Sequence, residues 1–297
     1  MERVDARRAV CVETATIIKN DHVGVGLWEM ELAAPRIVAA RPLPGQFVHM
    51  RTVPVDPRSN AHAHPLLRRP FSLYDVDTDR GNISILYKVQ GTGTSLMTKL
   101  RSRDPIDVMG PLGTGFSAPS SANGAPAALV VGGGVGIAPL VYLTRLLRQR
   151  GCKVGVLYGA NTCGELVALY RLQQLGASCR CTTLDESLGV CGVVTDLLPQ
   201  AIETLHPDFI YTCGPEPMMA AVARLAQENG IPGEASLEAH MACGVGACLG
   251  CARKLRGSDA GYAKVCVDGP VFPIDKIEFD AESEHGAEEA AKCEQRA

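Results

Sequence analysis

Four cysteines near the C-terminal end constrain this chain more than any other feature of its sequence. Four, two and fourteen residues separate Cys243, Cys248, Cys251 and Cys266 in turn. Glycine and alanine fill most of the short gaps, so the backbone can wrap closely around a bulky group and turn its N–H groups toward the sulfurs. Cysteines grouped in this way predict a site that binds metal through thiolates.

The spacing favours a [2Fe–2S] cluster over a zinc ion. Plant-type two-iron sites use C-x4-C-x2-C with a distant fourth cysteine, and soft thiolates suit both irons. A zinc site is the alternative, but zinc knuckles usually contribute two C-x2-C pairs and this sequence has one. We therefore predict a [2Fe–2S] cluster on Cys243, Cys248, Cys251 and Cys266.

Composition limits the classes of partner. The 297 residues leave room for two or three domains, and a net charge of −3 without a basic stripe argues against nucleic acid. No run of eighteen apolar residues exists, so no membrane contact is predicted. Twelve cysteines without an export signal indicate a reducing, cytoplasmic location.

Short alternating strands dominate the first third. Trp28, Met30 and Leu32 alternate with glutamates, and residues 83–89 show the same period of two. With glycine and proline turns between them, such strands predict a closed antiparallel barrel. Residues 52–65 have no periodicity and predict a loop.

Two stretches of this barrel carry chemical groups. Arg69 and Ser72 bring a guanidinium and a hydroxyl to the mouth of a strand, which suits a pyrophosphate. Further on, a glycine-rich turn precedes a helix predicted over residues 95–100, whose N–H groups would face an anion. Thr94 suits the N-cap of that helix with or without a ligand.

The middle third has the pattern of a nucleotide-binding α/β unit. An apolar strand over residues 127–131 leads into a glycine turn and a helix, the context that a dinucleotide site requires. The motif is Gly134-x-Gly136-x-x-Pro139, with proline in place of the third glycine. A later strand ends at Cys213-Gly214-Pro215. Because ligands bind outside the carboxyl ends of parallel strands, both turns lie where a nucleotide would bind.

The choice between NAD and NADP stays open at this point. No Asp or Glu stands directly at the end of the second strand to bind a ribose, since Asn161 and Thr162 follow Gly159 and Ala160 there. The sequence also lacks an arginine cluster that would bind the additional phosphate of NADP.

Together these motifs resemble the ferredoxin–NADP reductase superfamily. R-P-x-S and the later Y-K-V-x-G-x-G-T resemble its FAD-binding half, and C-G-P-x-x-M resembles its nicotinamide-side loop, which would put Cys213 near the hydride path. For FAD, the resemblance implies Arg69, Pro70, Phe71, Ser72, Leu86, Tyr87, Lys88, Gly93 and Thr94. For NAD(H), it implies Gly134, Gly136, Pro139, Cys213, Gly214 and Pro215.

The cluster cysteines joined to V-C-x-D-G-P-V-F are similar to the electron transfer subunits of NAD-dependent, type B dihydroorotate dehydrogenase. This resemblance implies that NADH reduces FAD and that the cluster passes electrons to an FMN-containing catalytic subunit, with two copies of each subunit, in pyrimidine biosynthesis. Orotate chemistry would belong to that partner, and no catalytic side chain is predicted here. The alternative is the flavin subunit of another reductase, such as a sulfide dehydrogenase, ferredoxin–NADP reductase or sulfite reductase.

The predicted fold class is therefore multidomain β plus α/β. An antiparallel FAD barrel is expected over residues 1–120 and a parallel-sheet NAD domain over 121–233. A small [2Fe–2S] module with a hairpin before Cys266 follows over 234–279. The acidic tail at 280–297 predicts disorder.

Overall fold

The computed structural model describes residues 10–55, 64–120, 124–256 and 261–279. The predicted tail and most of the predicted loop over 52–65 lie outside these ranges. The chain divides into two compact units. The first contains Met1–Ser117, Glu238–Arg253 and Lys264–Val271, and the second contains Ala118–Leu237, Lys254–Ala263 and Phe272–Ala297.

A closed antiparallel barrel forms the centre of the first unit, which confirms the predicted barrel. Its strand order is β1-β2-β5-β4-β3-β6. Inward residues such as Leu32, Leu73 and Ile85 are fully buried and fill the barrel. The strands are β1 (Cys11–Gly24), β2 (Leu27–Ala33), β3 (Phe47–Met50), β4 (Arg69–Asp77), β5 (Asn82–Lys88) and β6 (Pro105–Leu112).

Two short helices accompany the barrel, α1 (Pro35–Ala39) and α2 (Thr92–Met97). The prediction of a helix over 95–100 with Thr94 as its cap was wrong by three residues. The hydroxyl of Thr94 accepts hydrogen bonds from the N–H groups of Gln90 (3.0 Å) and Gly91 (3.2 Å). Thr94 therefore lies inside the first turn and reaches back to its start, instead of preceding the helix.

A seven-stranded sheet with the order β10-β9-β8-β7-β11-β12-β15 organises the second unit. The five pairs from β10 to β12 are parallel, which confirms the predicted parallel sheet. All seven residues of β7 are buried, as expected for a strand covered on both faces. The strands are β7 (Ala127–Gly133), β8 (Lys153–Ala160), β9 (Ser178–Thr183), β10 (Val190–Cys191), β11 (Phe209–Cys213), β12 (Gly233–Ser236) and β15 (Val271–Pro273).

In the part of this unit that the structure describes, four helices connect the strands. The amphipathic α3 follows β7 and buries residues such as Leu140 and Leu147. Among the described residues, no helix is both long and apolar enough to cross a membrane. The helices are α3 (Ala138–Gln149), α4 (Leu169–Gln174), α5 (Leu198–Leu205) and α6 (Glu216–Glu228).

The predicted hairpin before Cys266 is present as a two-stranded sheet, β13 (Ala252–Lys254) with β14 (Tyr262–Lys264). The chain thus leaves the large sheet after β12, supplies the four cysteines, and re-enters the sheet as β15, whose continuation bonds to β12 through Ile274 N–H and Gly233 C=O (3.0 Å).

Candidate functional site

The four predicted cluster ligands lie together in the first unit, on two loops. Cys243, Cys248 and Cys251 lie on the loop after Glu238, and Cys266 follows β14. Cys251 and Cys266 are buried, with 4% and 1% of their surface exposed, whereas Cys248 is exposed. The sulfur positions therefore run from a buried pair to the protein surface.

Backbone N–H groups point at the sulfurs. The N–H of Gly246 donates to Cys266 Sγ (3.2 Å), and that of Cys248 donates to Cys243 Sγ (3.4 Å). The sulfurs of Cys251 and Cys266 lie 3.2 Å apart. Positive φ angles at Gly244 (+71°) and Gly246 (+78°) permit this tight wrapping. Four thiol donors, of which Cys243 and Cys266 accept hydrogen bonds from backbone N–H groups, fit an iron–sulfur cluster.

The surroundings shift the pKa values of Cys243 and Cys266 in opposite directions. The N–H groups of Val245 and Cys248 lower the pKa of Cys243 to about 6. Burial and the neighbouring Cys251 raise the pKa of Cys266 to about 12. Of these two thiols, Cys243 therefore loses its proton more readily than Cys266.

The segment after Cys266 docks on the end of barrel strand β6. The N–H of Thr114 donates to the carbonyl of Gly269 (2.6 Å), and Thr114 pairs with Pro270 as an isolated bridge. A Cβ on Gly113 would lie 2.5 Å from Gly269 O, so only glycine permits this approach. The turn at Gly113 and Thr114 therefore contacts Gly269 and Pro270, and the fourth ligand is held against the barrel.

The predicted flavin residues gather where β4, β5 and α2 meet in the first unit. A Cβ on Gly93 would lie 3.2 Å from Thr52 Cγ2 and 3.7 Å from Arg69 Cγ, so the glycine turn contacts the R-P-x-S strand. Arg69 and Ser72 are half-buried, and Phe71 is 9% exposed. A guanidinium and a hydroxyl beside an open glycine turn fit the pyrophosphate of a dinucleotide.

On β5, the side chain of Tyr87 is buried in the barrel interior. Its ring packs edge-on against Phe71 (6.0 Å between centroids), and its hydroxyl donates to Asn20 Oδ1 (3.0 Å). Burial raises the pKa of Tyr87. Leu86 is buried and Lys88 is half-buried at the end of the strand. Around Tyr87 it is thus the backbone, and not the phenol, that remains to contact a flavin.

The two adjacent arginines have different environments. Arg68 forms an ion pair with Asp107 on β6 (2.5 Å). Among the described residues, the guanidinium of Arg69 donates to nearby backbone carbonyls, those of Leu67 (3.0 Å) and Arg68 (3.1 Å). Arg69 can exchange these local bonds for a phosphate, whereas Arg68 is held by a carboxylate.

Substitution of Arg69 by alanine is expected to weaken FAD retention. Loss of a charge-assisted hydrogen bond costs about 1.5–3 kcal/mol, or roughly ten- to hundredfold in affinity. The measurement is flavin content after gel filtration of Arg69→Ala, with Arg68→Ala as the matched control. Equal flavin loss in both variants would contradict the assignment of Arg69.

In the second unit the two predicted nicotinamide turns touch. In the strand order β9-β8-β7-β11-β12, the chain proceeds outward from β7 in one direction and from β11 in the other. Open α/β sheets bind ligands at the point between two such strands. Cys213 pairs with Gly132 across these strands. A Cβ on Gly136 would lie 2.6 Å from Gly214 Cα and 2.7 Å from Cys213 O.

The remaining residues of this crevice shape the turn. Gly134 has a φ of +52° with open space around it, and Pro139 occupies the first turn of α3, where no hydrogen-bonding N–H is needed. Pro215 precedes α6 and lies against Gly133. Cys213 is 3% exposed. An open glycine turn at a helix start fits a pyrophosphate.

Two further residues in these regions were missed from the sequence. His49 on β3 is 1% exposed and faces Gly244 of the cluster loop. Glu165, also buried, accepts a hydrogen bond from the N–H of Asn161 (3.0 Å) just beyond β8, where the sequence showed no acid. A short 3-10 turn returns Glu165 to the strand end, and no periodic pattern signals such a turn.

Comparison with protein families separates two parts of the chain. Residues 238–278 match the iron–sulfur cluster binding domain of dihydroorotate dehydrogenase B, and residues 130–224 match the oxidoreductase NAD-binding domain. The first match contains all four cysteines, and the second contains both nicotinamide turns.

Relatives and solved structures match nearly the whole chain. The dihydroorotate dehydrogenase B (NAD(+)) electron transfer subunit of Bacillus caldolyticus is 38% identical over 89% of this chain and 98% of its own. That of Fusobacterium nucleatum is 34% identical over 91% and 99%. An NADH-dependent reduced ferredoxin-NADP oxidoreductase, solved in work on flavin-based electron bifurcation, is 25% identical, with a TM-score of 0.76 over 95% of this chain and 98% of its own.

Fold and sites define an oxidoreductase of the ferredoxin-reductase type that transfers electrons and carries an added iron–sulfur segment. The two family matches and the similarity in fold confirm the predicted cofactors, which are FAD, NAD(H) and a [2Fe–2S] cluster. The chain belongs to the family of electron transfer subunits of dihydroorotate dehydrogenase B (NAD(+)). This confirms the predicted function as an electron transfer subunit.

Proposed function

We propose that this chain passes electrons from NADH, through FAD and the cluster, to an FMN-containing catalytic subunit that interconverts dihydroorotate and orotate in pyrimidine biosynthesis. The observation that carries the proposal is that Cys243, Cys248, Cys251 and Cys266 lie in the same compact unit as the flavin motif of β4 and β5. A flavin accepts a hydride pair and releases single electrons, which a one-electron cluster requires.

The protein residues hold and orient these groups. Arg69 and Ser72 would bind the FAD pyrophosphate, and the four cysteines would bind the cluster. The turns at Gly136 and Gly214 would receive the dinucleotide of NADH. The predicted absence of a catalytic side chain for dihydroorotate stays a prediction, as do the module boundaries 1–120, 121–233 and 234–279.

The surface around Cys248 suits a protein partner. Val245, Leu249 and Val267 are 49%, 62% and 43% exposed and flank the cysteine loops. A Cβ on Gly246 would lie 2.8 Å from Val267 Cγ2, so the two loops form one apolar rim. Exposed apolar side chains beside a redox site favour docking of the electron acceptor there. The acceptor is proposed to be the catalytic subunit, in an assembly of two copies of each.

NAD is proposed over NADP as the nicotinamide cofactor. The relatives are named for NAD(+). In addition, Glu165 places a carboxyl group at the end of β8, where it would repel the negatively charged 2′-phosphate of NADP. A cytoplasmic location is proposed from the number of cysteines alone.

Substitution of Leu249 by aspartate is expected to block transfer to the partner and spare the steps within the chain. A charge buried at an apolar contact weakens the complex by at least about tenfold. Purified Leu249→Asp is titrated with the FMN-containing subunit, and NADH-dependent reduction of orotate is followed beside NADH-dependent bleaching of flavin and cluster.

The matched control is Val25→Asp, which changes an exposed valine (58%) on the turn between β1 and β2. Orotate reduction should depend on Leu249 and not on Val25. If the wild-type pair bleaches with NADH but never reduces orotate, the proposed acceptor is wrong and another reductase function applies.

A further inference from the structure

A buried histidine lies between the flavin motif and the cluster loop. His49 on β3 is 1% exposed, and within the part of the chain that the structure describes neither of its ring nitrogens makes a hydrogen bond. A neutral imidazole carries one N–H donor and one acceptor nitrogen, and leaving both unpaired in the interior is costly. Buried polar side chains usually have a hydrogen-bond partner, so the residues that surround His49 indicate what its ring nitrogens could bind.

The cluster segment covers the face of β3 that carries His49. Phe47 and His49 share this face, while Val48 and Met50 belong to the opposite face. Phe47 lies beside Gly113, where the segment after Cys266 docks, and a Cβ on Gly244 would lie only 2.7 Å from His49 Nδ1. Gly244 is thus the residue that allows the first ligand loop to close over the ring.

On its other side His49 belongs to the flavin-binding strand pair. It is directly opposite Pro70 of the R-P-x-S motif in the β3–β4 register. His49 therefore lies between the strand pair that carries the flavin motif and the turn at Gly244, which follows the first cluster ligand.

We propose that His49 is a positioning residue that fixes the turn at Cys243 and Gly244, and with it the first cluster ligand, against the strand pair that carries the flavin motif. Nδ1, the nitrogen that faces Gly244, holds the turn through its backbone once the cluster is bound. This inference rests on the cluster assignment made above. It adds a residue that binds no cofactor and acts through the ligand loop.

Three variants test the role of the ring. His49→Ala removes both nitrogens, whereas His49→Asn keeps a polar group close to the position of Nδ1. Val48→Ala is the control, because it truncates the neighbouring side chain on the opposite face of the same strand and costs packing without touching the cluster loop. The readouts are flavin content, the EPR spectrum and midpoint potential of the reduced cluster, and the rate of cluster loss to an iron chelator.

His49→Ala is expected to keep FAD, alter the EPR spectrum, shift the midpoint potential and lose its cluster about tenfold faster, the lower end of the effect of residues that orient metal ligands. His49→Asn should recover most of the wild-type behaviour, and Val48→Ala should match wild type in spectrum and potential. The proposal is overturned if His49→Ala keeps the wild-type spectrum and potential, or if His49→Asn is no better than His49→Ala. A wild-type chain without any iron–sulfur signal would instead refute the cluster assignment itself.

Discussion

Replacement of Cys248 by serine is expected to abolish the iron–sulfur absorbance while NADH still reduces a two-electron dye. Serine offers a hard oxygen in place of a soft thiolate, and loss of a direct ligand should exceed the 10–100-fold effects typical of outer residues. Because Cys248 is exposed, the substitution leaves the barrel core intact. Iron and sulfide content, flavin content and dye reduction are measured on the same preparation.

The control for this variant is Cys163→Ser, which removes another exposed cysteine from the second unit. It should retain both cofactors. If Cys248→Ser kept the cluster, the ligand assignment would be wrong. If it lost FAD together with iron, the flavin site and the cluster loop would depend on each other for folding.

The second large effect is expected at Gly136. Substitution by alanine places a methyl group 2.6 Å from Gly214 Cα, and backbone atoms cannot give way as a flexible side chain can. The two nicotinamide turns must separate, so the KM for NADH should rise by at least about tenfold, equivalent to about 1.4 kcal/mol. Steady-state dye reduction at varied NADH measures this directly, with flavin content unchanged.

Gly230→Ala provides the comparison. Gly230 has a φ of +66° and no neighbouring atom within 4 Å of an added Cβ, so alanine there strains the backbone without pushing on another loop. It should lower the unfolding temperature and leave the KM for NADH as in the wild type. Equal KM values for all three proteins would remove Gly136 from the proposed NADH site.

Local patterns in the sequence predicted the parts of the fold that depend on local signals. The alternation around Trp28 predicted β2, and the apolar run before Gly132 predicted β7. Both signals depend only on the polarity of consecutive residues. The start of α2 was misplaced because the side chain of Thr94 can serve at either of two positions in a first turn. The edge strands β10 and β15 are only two and three residues long and carry no period at all.

The candidate sites divide in the same way. Cysteine and glycine motifs predicted candidate site residues that stand close to one another in sequence, and their roles stay predictions. His49 and Glu165 could not be found, for two different reasons. His49 meets a loop almost two hundred residues away, and Glu165 returns to the end of its strand through a short turn that no periodic pattern signals. The pairing of Arg68 with Asp107, which leaves Arg69 available, likewise appears only when β4 and β6 lie in one barrel.

The path of the chain through β12, the cysteine loops and β15 has a consequence for biosynthesis. A ribosome delivers residues from the N-terminus, so every barrel strand and the docking turn at Gly113 and Thr114 exist before Cys243 emerges. Insertion of iron and sulfide is then among the last steps of maturation. The barrel and the turn that receives the segment after Cys266 can therefore be complete while the cysteine loops still lack iron and sulfide.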